Sequence, residues 1–464
     1  MKRLSRHIVQ FLLMQLLLVM GSPMLWAYDF THDGINYTIR SQSGHLVSVS
    51  KGSYSGAVTI PSTVSHDGAS YTVTSIDDEA FSYSRELTQV SLPATISTIG
   101  ISAFDNCAQL TTINIPSGVT AIEDETFYNC SALSHITLPS SLVEIGSNAF
   151  AGCRSLASLS LPSATSTVGS YAFQQCTSLQ SLTATGLTSV PPYMAVGCTS
   201  LRSAALGNGV QAIGEYAFSG CSSLTAISLS TIVQTIDDYA FQDCARLTSI
   251  EFPGNLASVS SCAFTGSGLH KLIVTDSGNH TPLAVTGTET AIPVTLDSLV
   301  LGRAFTGNAI DPASSAAASR YMINVGQLSY LEFAPNYDAT FNPAHYSNRL
   351  NAIYAYNVNP SAINSFHALT YMSVTLHVPQ GSLSLYKSTQ GWNNFKLYTQ
   401  VDELVVKGDV NRDGIINVGD VTALNNMILG KPADSSFQNA DMNGDGIINV
   451  TDTSLLIKLI VTTK

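Results

Sequence analysis

Large apolar residues recur at a constant interval along most of the chain before residue 270. The clearest marker is a phenylalanine that returns every 23 residues, as from Phe81 to Phe104. One copy has Ala195 in this position and is one residue shorter. A fixed period of this length predicts a solenoid in which each repeat forms one coil. The phenylalanines are Phe81, Phe104, Phe127, Phe150, Phe173, Phe218, Phe241 and Phe264.

The repeat that runs from Cys107 to Cys130 shows how one coil is expected to close. An L-x-x-I-x-I segment predicts a short strand with its large side chains pointing inward. Pro116 ends that strand, and Ser117-Gly118 turns the chain. Stacked coils share their apolar interior, and each fully buried side chain contributes roughly 1.5–3 kcal/mol. The side chains expected inside this coil are Leu110, Ile113, Ile115, Val119, Ile122 and Phe127.

The ends of the array follow a different pattern. Residues 28–61 alternate as strands do and predict an N-terminal β cap over the first coil. Residues 62–274 form the regular array. From 275 to 402 the connections lengthen, and Trp392 and Phe395 are expected to cover the last coil. Residues 403–464 are predicted to be a separate small module.

The first 27 residues predict a secretory signal peptide. Lys2, Arg3 and Arg6 precede an apolar run from Ile8 to Met20, which is short for a spanning helix. Cleavage is expected after Ala27, and an uncleaved anchor is the alternative. No transmembrane segment is expected after cleavage.

The repeats end in A-F-x-x-C, and with their period and proline they resemble BspA-like, or treponemal-type, leucine-rich repeats. The resemblance implies a leucine-rich-repeat solenoid, mainly β, made of parallel stacked short strands. It also implies a secreted protein, extracellular or on the cell surface of a bacterium. Members of this family are associated with adhesion to host proteins or to other cells.

Two twelve-residue segments, 409–420 and 441–452, carry the oxygen groups that calcium prefers. Positions 1, 3 and 5 supply Asp, Asn and Asp, and position 6 is a glycine for the sharp turn. Position 7 offers a backbone carbonyl, position 9 is Asn and position 12 is Asp. We therefore predict two calcium ions. Their ligands are Asp409, Asn411, Asp413, Ile415, Asn417, Asp420, Asp441, Asn443, Asp445, Ile447, Asn449 and Asp452.

A paired EF-hand would need a helix that enters the first loop, and residues 403–408 are too short and too β-branched to form one. A duplicated loop followed by a helix, with Asp at position 12, resembles the type I dockerin module of cellulosome-like systems. The resemblance covers about residues 407–462. It implies a small all-α calcium-binding domain that docks onto a cohesin domain, often one carried by a scaffold protein.

Clostridial members of that family often recognise cohesin through Ser-Thr at positions 10 and 11 of each loop. This chain departs from that pattern, which argues against a clostridial-type partner. The near-symmetry of the two halves permits two binding orientations. The predicted partner-binding residues, at positions 10, 11, 17 and 18, are Val418, Gly419, Asn425, Asn426, Val450, Thr451, Ile457 and Lys458.

Two further columns run along the repeats. We call the recurring phenylalanine, or Ala195 in the shorter copy, the anchor of its repeat. Seven cysteines lie three residues after an anchor, and they predict either a ladder of buried thiols or, alternatively, disulfides between neighbouring coils. Tyr171, Tyr193, Tyr216 and Tyr239 lie two residues before it. These tyrosines are a candidate ligand-binding ridge for a protein or glycan; alternatively, they only cover the turn edge.

Charge and motifs narrow the function. A formal net charge of −12, with only 11% charged residues, argues against nucleic acid and anionic membranes as partners. The chain contains neither G-x-S-x-G nor H-E-x-x-H, and its histidines are scattered. We therefore predict no catalytic residues and no enzymatic activity.

The leading hypothesis is a secreted, non-catalytic interaction protein. Its solenoid binds a host or bacterial surface protein or glycan, and its calcium module docks to a cohesin-like partner. The alternative is an auxiliary or enzymatic component of a polysaccharide-degrading complex. A third possibility is that the module caps the solenoid, because no Pro/Thr-rich linker precedes it.

Overall fold

The computed structural model describes residues 28–276, 281–287, 294–307, 322–324, 326–334, 349–363, 366, 368–401, 410, 416, 418–429, 440–443 and 447–462. The predicted signal peptide, residues 1–27, lies outside this part of the chain. The fold divides into two compact units, residues 1–156 and 157–464. Among the described residues, no helix combines the length and the apolar character needed to cross a bilayer.

The first unit begins with a mixed sheet and continues as stacked coils. Its strands are β1 (Phe30–His32), β2 (Ile35–Ser41), β3 (Leu46–Val49), β4 (Gly56–Thr59), β5 (Thr63–His66), β6 (Ala69–Ile76), β7 (Leu87–Ser91), β8 (Thr98–Ile99), β9 (Thr112–Asn114), β10 (Ala121–Ile122), β11 (His135–Thr137) and β12 (Glu144–Ile145).

The mixed sheet has the order β1-β2-β3-β6-β5, and β8 also pairs with β6. The β1/β2, β2/β3 and β5/β6 pairs are antiparallel, and this distinguishes them from the repeats. The sheet extends to Ile76, beyond residue 61, where the predicted cap ends. β4, which lies within the predicted cap, instead starts the parallel sheet β4-β7-β9-β11. The first coil of the array therefore forms from residues on both sides of that boundary.

The second unit contains the longer array and all four described α-helices. Its strands are β13 (Ser158–Ser160), β14 (Thr167–Val168), β15 (Ser181–Ala184), β16 (Ser203–Leu206), β17 (Ala212–Ile213), β18 (Ala226–Ile227), β19 (Thr235–Ile236), β20 (Ser249–Phe252), β21 (Ser258–Ser260), β22 (Lys271–Val274), β23 (Leu283–Thr286), β24 (Val294–Thr295), β25 (Ser298–Leu301), β26 (Phe305–Gly307), β27 (Ile323–Asn324), β28 (Tyr330–Phe333), β29 (Ala352–Ala355), β30 (Thr375–Pro379) and β31 (Leu397–Val401).

The helices of this unit are α1 (Ala368–Ser373), α2 (Leu383–Ser388), α3 (Val418–Ile428) and α4 (Val450–Thr462), with a 3₁₀ turn at Trp392–Asn394. Its parallel sheets have the orders β13-β15-β16-β18, β17-β19-β21-β23-β26 and β20-β22-β25-β28-β29-β30-β31. β24 pairs with β27 in a separate two-stranded sheet.

Equivalent positions of successive repeats lie side by side. Ile113 of β9 pairs with Ile136 of β11, one repeat later. The shorter copy keeps this alignment, because Leu182 of β15 pairs with Ala204 of β16. The turns are also hydrogen-bonded between coils, as where the Phe127 amide donates to the Ala149 carbonyl at 2.8 Å. Because the coils match in length, their backbone N–H and C=O groups find hydrogen-bond partners in the next coil both along the strands and in the turns.

The anchor phenylalanines form stacked columns in the interior of each unit. In the first unit, Phe104 stacks on Phe127 with ring centroids 5.4 Å apart and an interplanar angle of 5°. In the second, Phe241 lies 5.6 Å from Phe218 and 5.2 Å from Phe264. All these rings are buried. One coil cannot bury such a ring, so its burial depends on the neighbouring coils.

Aromatic residues close the array near its C-terminal end. The Trp392 ring meets Phe333 edge to face at a centroid distance of 5.4 Å, and its Nε1 donates to the Ser361 carbonyl at 3.0 Å. Phe395 packs edge to face on Tyr371 at 5.0 Å. Trp392 and Phe395 are both buried among the aromatic residues of this end of the array.

Candidate functional site

The described residues of the C-terminal module include two amphipathic helices, α3 and α4, which pack against each other around their own core. Leu424 of α3 and Leu456 and Ile460 of α4 are buried there, together with Val410 and Ala440. On α4, Asp452, Leu456 and Ile460 follow at intervals of four residues, so they share one face of the helix. The loop residue Asp452 is therefore anchored by the same face that builds the core.

Asp452 holds three backbone amides. Its Oδ1 accepts from the amides of Met442 and Asn443 at 2.9 and 3.3 Å, and its Oδ2 accepts from the amide of Asn449 at 3.0 Å. Asn449 in turn caps α4, because its Oδ1 accepts from the Thr451 amide at 2.7 Å. Position 12 of the loop thus folds back onto its beginning, as a calcium loop requires.

The donor chemistry of the second loop fits calcium. Asp441 at position 1 and Asp452 at position 12 are buried carboxylates, and Asn443 at position 3 lies beside them in the same turn of backbone. Buried carboxylates in a loop of oxygen donors suit a hard divalent cation, since an unpaired buried charge is costly. Asp420, which holds position 12 of the first loop, is fully buried in α3.

Half of the predicted calcium ligands lie outside the described residues: Asp409, Asn411, Asp413, Ile415, Asn417 and Asp445. Within the described ranges, no group of three or more His, Cys, Asp or Glu side chains is arranged to hold a metal. The ligand set therefore stays a prediction.

The predicted partner-binding residues of α4 lie away from its buried face. Val450 is 70% exposed and Ile457 is 45% exposed, while Thr451 and Lys458 are also at the surface. On α3, Asn425 is exposed and accepts a hydrogen bond from Thr453 at 3.2 Å. Asn426 is half-buried, and Val418 and Gly419 are the first residues of α3.

Comparison with protein families matches both parts of the chain. The model of the BspA type leucine-rich repeat region matches residues 74–194 and 171–282, with six copies. The model of the dockerin type I domain matches residues 407–461. The chain carries BspA-type leucine-rich repeats and a C-terminal dockerin type I domain. This result confirms both resemblances. The dockerin family is calcium-binding and implies a cohesin partner, and both domain types are non-catalytic.

Solved structures support the repeat fold. A leucine-rich repeat protein from Bacteroides ovatus ATCC 8483 aligns with a TM-score of 0.54 at 21% identity, covering 81% of this chain and all of that one. At this identity the likeness shows the fold alone. The predicted β-solenoid of leucine-rich-repeat type, with a small helical dockerin region, is thereby confirmed.

Two further solved structures also match. A leucine-rich repeat protein of T. pallidum is 30% identical, with a TM-score of 0.36, and the match covers 44% of this chain and 90% of that one. A leucine-rich cell surface protein from Faecalibacterium prausnitzii A2-165 is 19% identical, with a TM-score of 0.34 and coverage of 83% and 97%. No curated protein matches the chain.

The four tyrosines of the predicted ligand ridge stack on one another in the repeats. Neighbouring centroids are 4.5, 4.9 and 4.8 Å apart from Tyr171 to Tyr239, with interplanar angles of 12–19°. All four residues have positive φ, between 53° and 62°, and are half-buried. Burial and the carboxylate of Glu215, which accepts from the Tyr193 hydroxyl at 3.2 Å, raise the pKa of Tyr193 to about 12. Because the ring faces contact each other, mainly ring edges remain for a ligand.

The cysteine column is a ladder of buried free thiols. The Cys107 Sγ donates to the Phe81 carbonyl at 3.1 Å, and the Cys244 Sγ donates to the Phe218 carbonyl at 3.2 Å. Burial raises the pKa of both thiols to about 12. Protonated and enclosed thiols are unreactive, so the column has a packing role.

The sequence analysis did not single out a group of large side chains on the outward face of β28–β30. These residues, which we call the aromatic patch, are Tyr330, Glu332, Tyr354, Tyr356 and His377. Outward positions of the regular repeats are small and polar, as at Ser158 and Ser160 of β13. The aromatic residues in Y-L-E-F and A-I-Y-A-Y were the available signal.

Proposed function

We propose that this chain is a secreted, non-catalytic interaction protein of a bacterium, extracellular or on the cell surface. Its repeat solenoid binds a protein or glycan surface, and its dockerin domain docks onto a cohesin-like domain of a partner or scaffold protein. The observation that carries this proposal is the dockerin match at residues 407–461, joined to repeats that match at residues 74–282. Both domain types are typical of extracellular or cell-surface bacterial proteins.

The dockerin domain would hold two calcium ions, one in each loop. Supporting observations are the buried Asp420, Asp441 and Asp452 and the return of Asp452 onto the first residues of the second loop. The proposed ligands are the twelve predicted from the sequence. When bound, calcium would supply the positive charge that balances these carboxylates. Asn449 caps α4, and the hydrogen bond from Thr453 to Asn425 links α4 to α3.

The docking surface would include the exposed side of α4. Val450 and Ile457 are seven residues apart and therefore lie on one side of that helix. Clusters of large apolar side chains that are as exposed as Val450 and Ile457 commonly mark interaction surfaces. The equivalent positions in the first half carry Val418 and Asn425, so the two halves share an apolar residue at the first position and differ at the second.

A pull-down of the full-length chain from the secreted proteins of its own bacterium tests the docking role. We expect a cohesin-bearing protein to be retained in calcium and released by a chelator. Val450→Asp combined with Ile457→Asp should reduce its capture at least ten-fold. Leu385→Asp, a similarly exposed apolar position on α2 outside the module, should leave capture unchanged. Retention that is equal with and without calcium would contradict the proposal.

A second candidate function is an auxiliary or enzymatic part of a polysaccharide-degrading complex. The dockerin domain favours it, because such modules usually accompany glycoside hydrolases. An assay for released reducing sugar, run with the purified full-length chain on plant and host polysaccharides, separates the two roles. Turnover would support the enzymatic version, and its absence across the panel would leave the auxiliary, non-catalytic role.

A further inference from the structure

The five residues of the aromatic patch emerge on one face of the sheet. Across the parallel strands Glu332 pairs with Tyr354, and Tyr354 pairs with His377. Tyr330 lies on β28, two residues before Glu332. Tyr356 lies directly after β29, two residues after Tyr354. Since side chains alternate between the faces of a strand, all five point outward. The inward faces of the same strands carry the buried residues of the core.

The rings of the patch are in contact. Tyr354 stacks on His377 at a centroid distance of 4.6 Å with an interplanar angle of 13°. It also lies 5.4 Å from Tyr330 and 6.2 Å from Tyr356. Tyr354 is therefore the centre of a preformed aromatic group, and little side-chain entropy remains to be lost when a ligand binds.

A carboxylate lies among these rings. The Tyr330 hydroxyl donates to Glu332 Oε2. Burial raises the pKa of Glu332. The pKa of Tyr356 is also raised, mainly by burial and to a smaller extent by the negative charge of Glu332. Glu332 thus offers an acceptor that is partly shielded from water, where a hydrogen bond is stronger.

His377 adds a neutral imidazole to the patch. Its Nδ1 is buried, and among the described residues it has no hydrogen-bond partner. Burial lowers the pKa of His377, which keeps the ring uncharged near neutral pH. An uncharged ring stacked on Tyr354 extends the aromatic surface without adding charge.

The surroundings of the patch restrict the charge of its ligand. Lys271 of β22 and Glu332 of β28 bring opposite charges to the outward face of the same sheet, so this face selects neither a cationic nor an anionic ligand. The net charge of −12 disfavours anionic polymers. Half-buried Ile273 and Val300 continue the row of Glu332 toward β22 and lengthen an uncharged surface. A neutral, hydroxyl-rich ligand fits these groups best.

We propose that the aromatic patch binds sugar rings of a neutral glycan. Glu332 would accept hydrogen bonds from ligand hydroxyls, while Tyr354, Tyr356 and His377 would contact the apolar parts of the ring. Ligand-binding sites are commonly lined by aromatic side chains with a few polar groups at defined positions, which is the composition of the aromatic patch. This inference rests on the proposed interaction role of the solenoid and names its ligand class and location.

Affinity electrophoresis of the full-length chain in gels that contain soluble starch, mannan, xylan or mixed-linkage β-glucan tests the proposal. We expect at least one polysaccharide to retard the chain. Tyr354→Ala and Glu332→Gln should each weaken that binding about ten-fold or more. Glu251→Gln is the matched control, because Glu251 points outward from β20 on the same sheet and outside the patch. It should leave retardation unchanged.

Three results would overturn the proposal. They are no retardation by any of the four polysaccharides, retardation that Tyr354→Ala and Glu332→Gln leave unchanged, and binding of oligolysine with no binding of glycan. Tyr354→Phe, which keeps the ring, should retain more than half of the affinity and guards against misfolding of the alanine variant. Calcium-dependent capture of a cohesin-bearing protein is scored separately, so failure of the patch is distinguishable from failure of the docking role.

Discussion

Replacing Asp452 with asparagine removes a negative charge that three backbone amides share. The carboxylate accepts from Met442 and Asn443 through one oxygen and from Asn449 through the other. The amide of asparagine has nearly the same shape, but an NH2 group, which donates hydrogen bonds, replaces one of the two carboxylate oxygens. At least one backbone N–H therefore loses its acceptor at a buried position.

The expected cost follows from these contacts. A hydrogen bond to a charged group contributes roughly 1.5–3 kcal/mol, and a buried donor left without a partner costs about 1–3 kcal/mol. We expect Asp452→Asn to lower the free energy of unfolding of the dockerin domain by about 2–3 kcal/mol without calcium. In calcium the difference should widen, because a ligand held at 100 times its Kd adds about 2.7 kcal/mol to the unaltered domain.

Urea unfolding of the full-length chain, followed by ellipticity at the helical band, measures this effect. The two longest described helices, α3 with 11 residues and α4 with 13, both lie in the dockerin domain, so the helical signal reports mainly on it. Ser454→Ala is the control, because Ser454 is exposed on the same helix and its hydroxyl donates to the Val450 carbonyl at 2.9 Å, away from the loop. It should change stability by less than about 0.5 kcal/mol.

Two outcomes would refute this reasoning. Equal urea midpoints for Asp452→Asn and the unaltered chain in chelator would show that Asp452 does not hold the loop. An equal calcium-induced gain in both would show that Asp452 is not a calcium ligand.

Three other predictions concern the repeats. Thiol alkylation should leave the cysteine column of the native chain unmodified and should proceed only in denaturant. The reason is that the thiols are buried, which raises the pKa of residues such as Cys107. Rapid labelling of the native chain would contradict this prediction. Phe241→Ala should destabilise the array by about 3–5 kcal/mol in urea, whereas Ser181→Ala on the outward face should have little effect. Burial raises the pKa of Glu332, so the folded chain holds its proton more tightly than the unfolded chain. Its contribution to stability is present at low pH and is lost as pH rises through the raised pKa. Glu332→Gln should remove that slope in urea midpoints measured between about pH 4 and pH 8.

Much of the repeat fold could be predicted from the sequence because its cause is periodic. A 23-residue step places equivalent residues side by side in neighbouring coils, and Ile113 indeed pairs with Ile136. The anchors are large and apolar, so their burial follows once the coils stack. The two loops also follow a local pattern, since oxygen-bearing residues occupy fixed positions around a glycine, and their calcium ligands stay a prediction.

The turn conformations could not be predicted in the same way. Tyr171 and Tyr216 adopt positive φ, a region that L residues with a side chain rarely occupy. Nothing in a single repeat favours tyrosine there. The same positive φ occurs at the equivalent position of repeats without tyrosine, as at Glu79 and Ser102, so the conformation belongs to the turn of the repeat. Stacking between coils then aligns the tyrosine rings, with Tyr216 lying 4.9 Å from Tyr193.

The sequence by itself determined the coil length, the anchors and the composition of the two loops, because each is a local pattern of spacing and side-chain type. Only the tertiary structure decided that Asp452 would hold three amides and that Glu332, Tyr354 and His377 would meet on one face. Beyond residue 274 the spacing of the repeats varies, and Val300 pairs with Glu332, 32 residues later, instead of 23 residues later as in the regular array. Strand register there depends on contacts between distant segments, which no local pattern encodes.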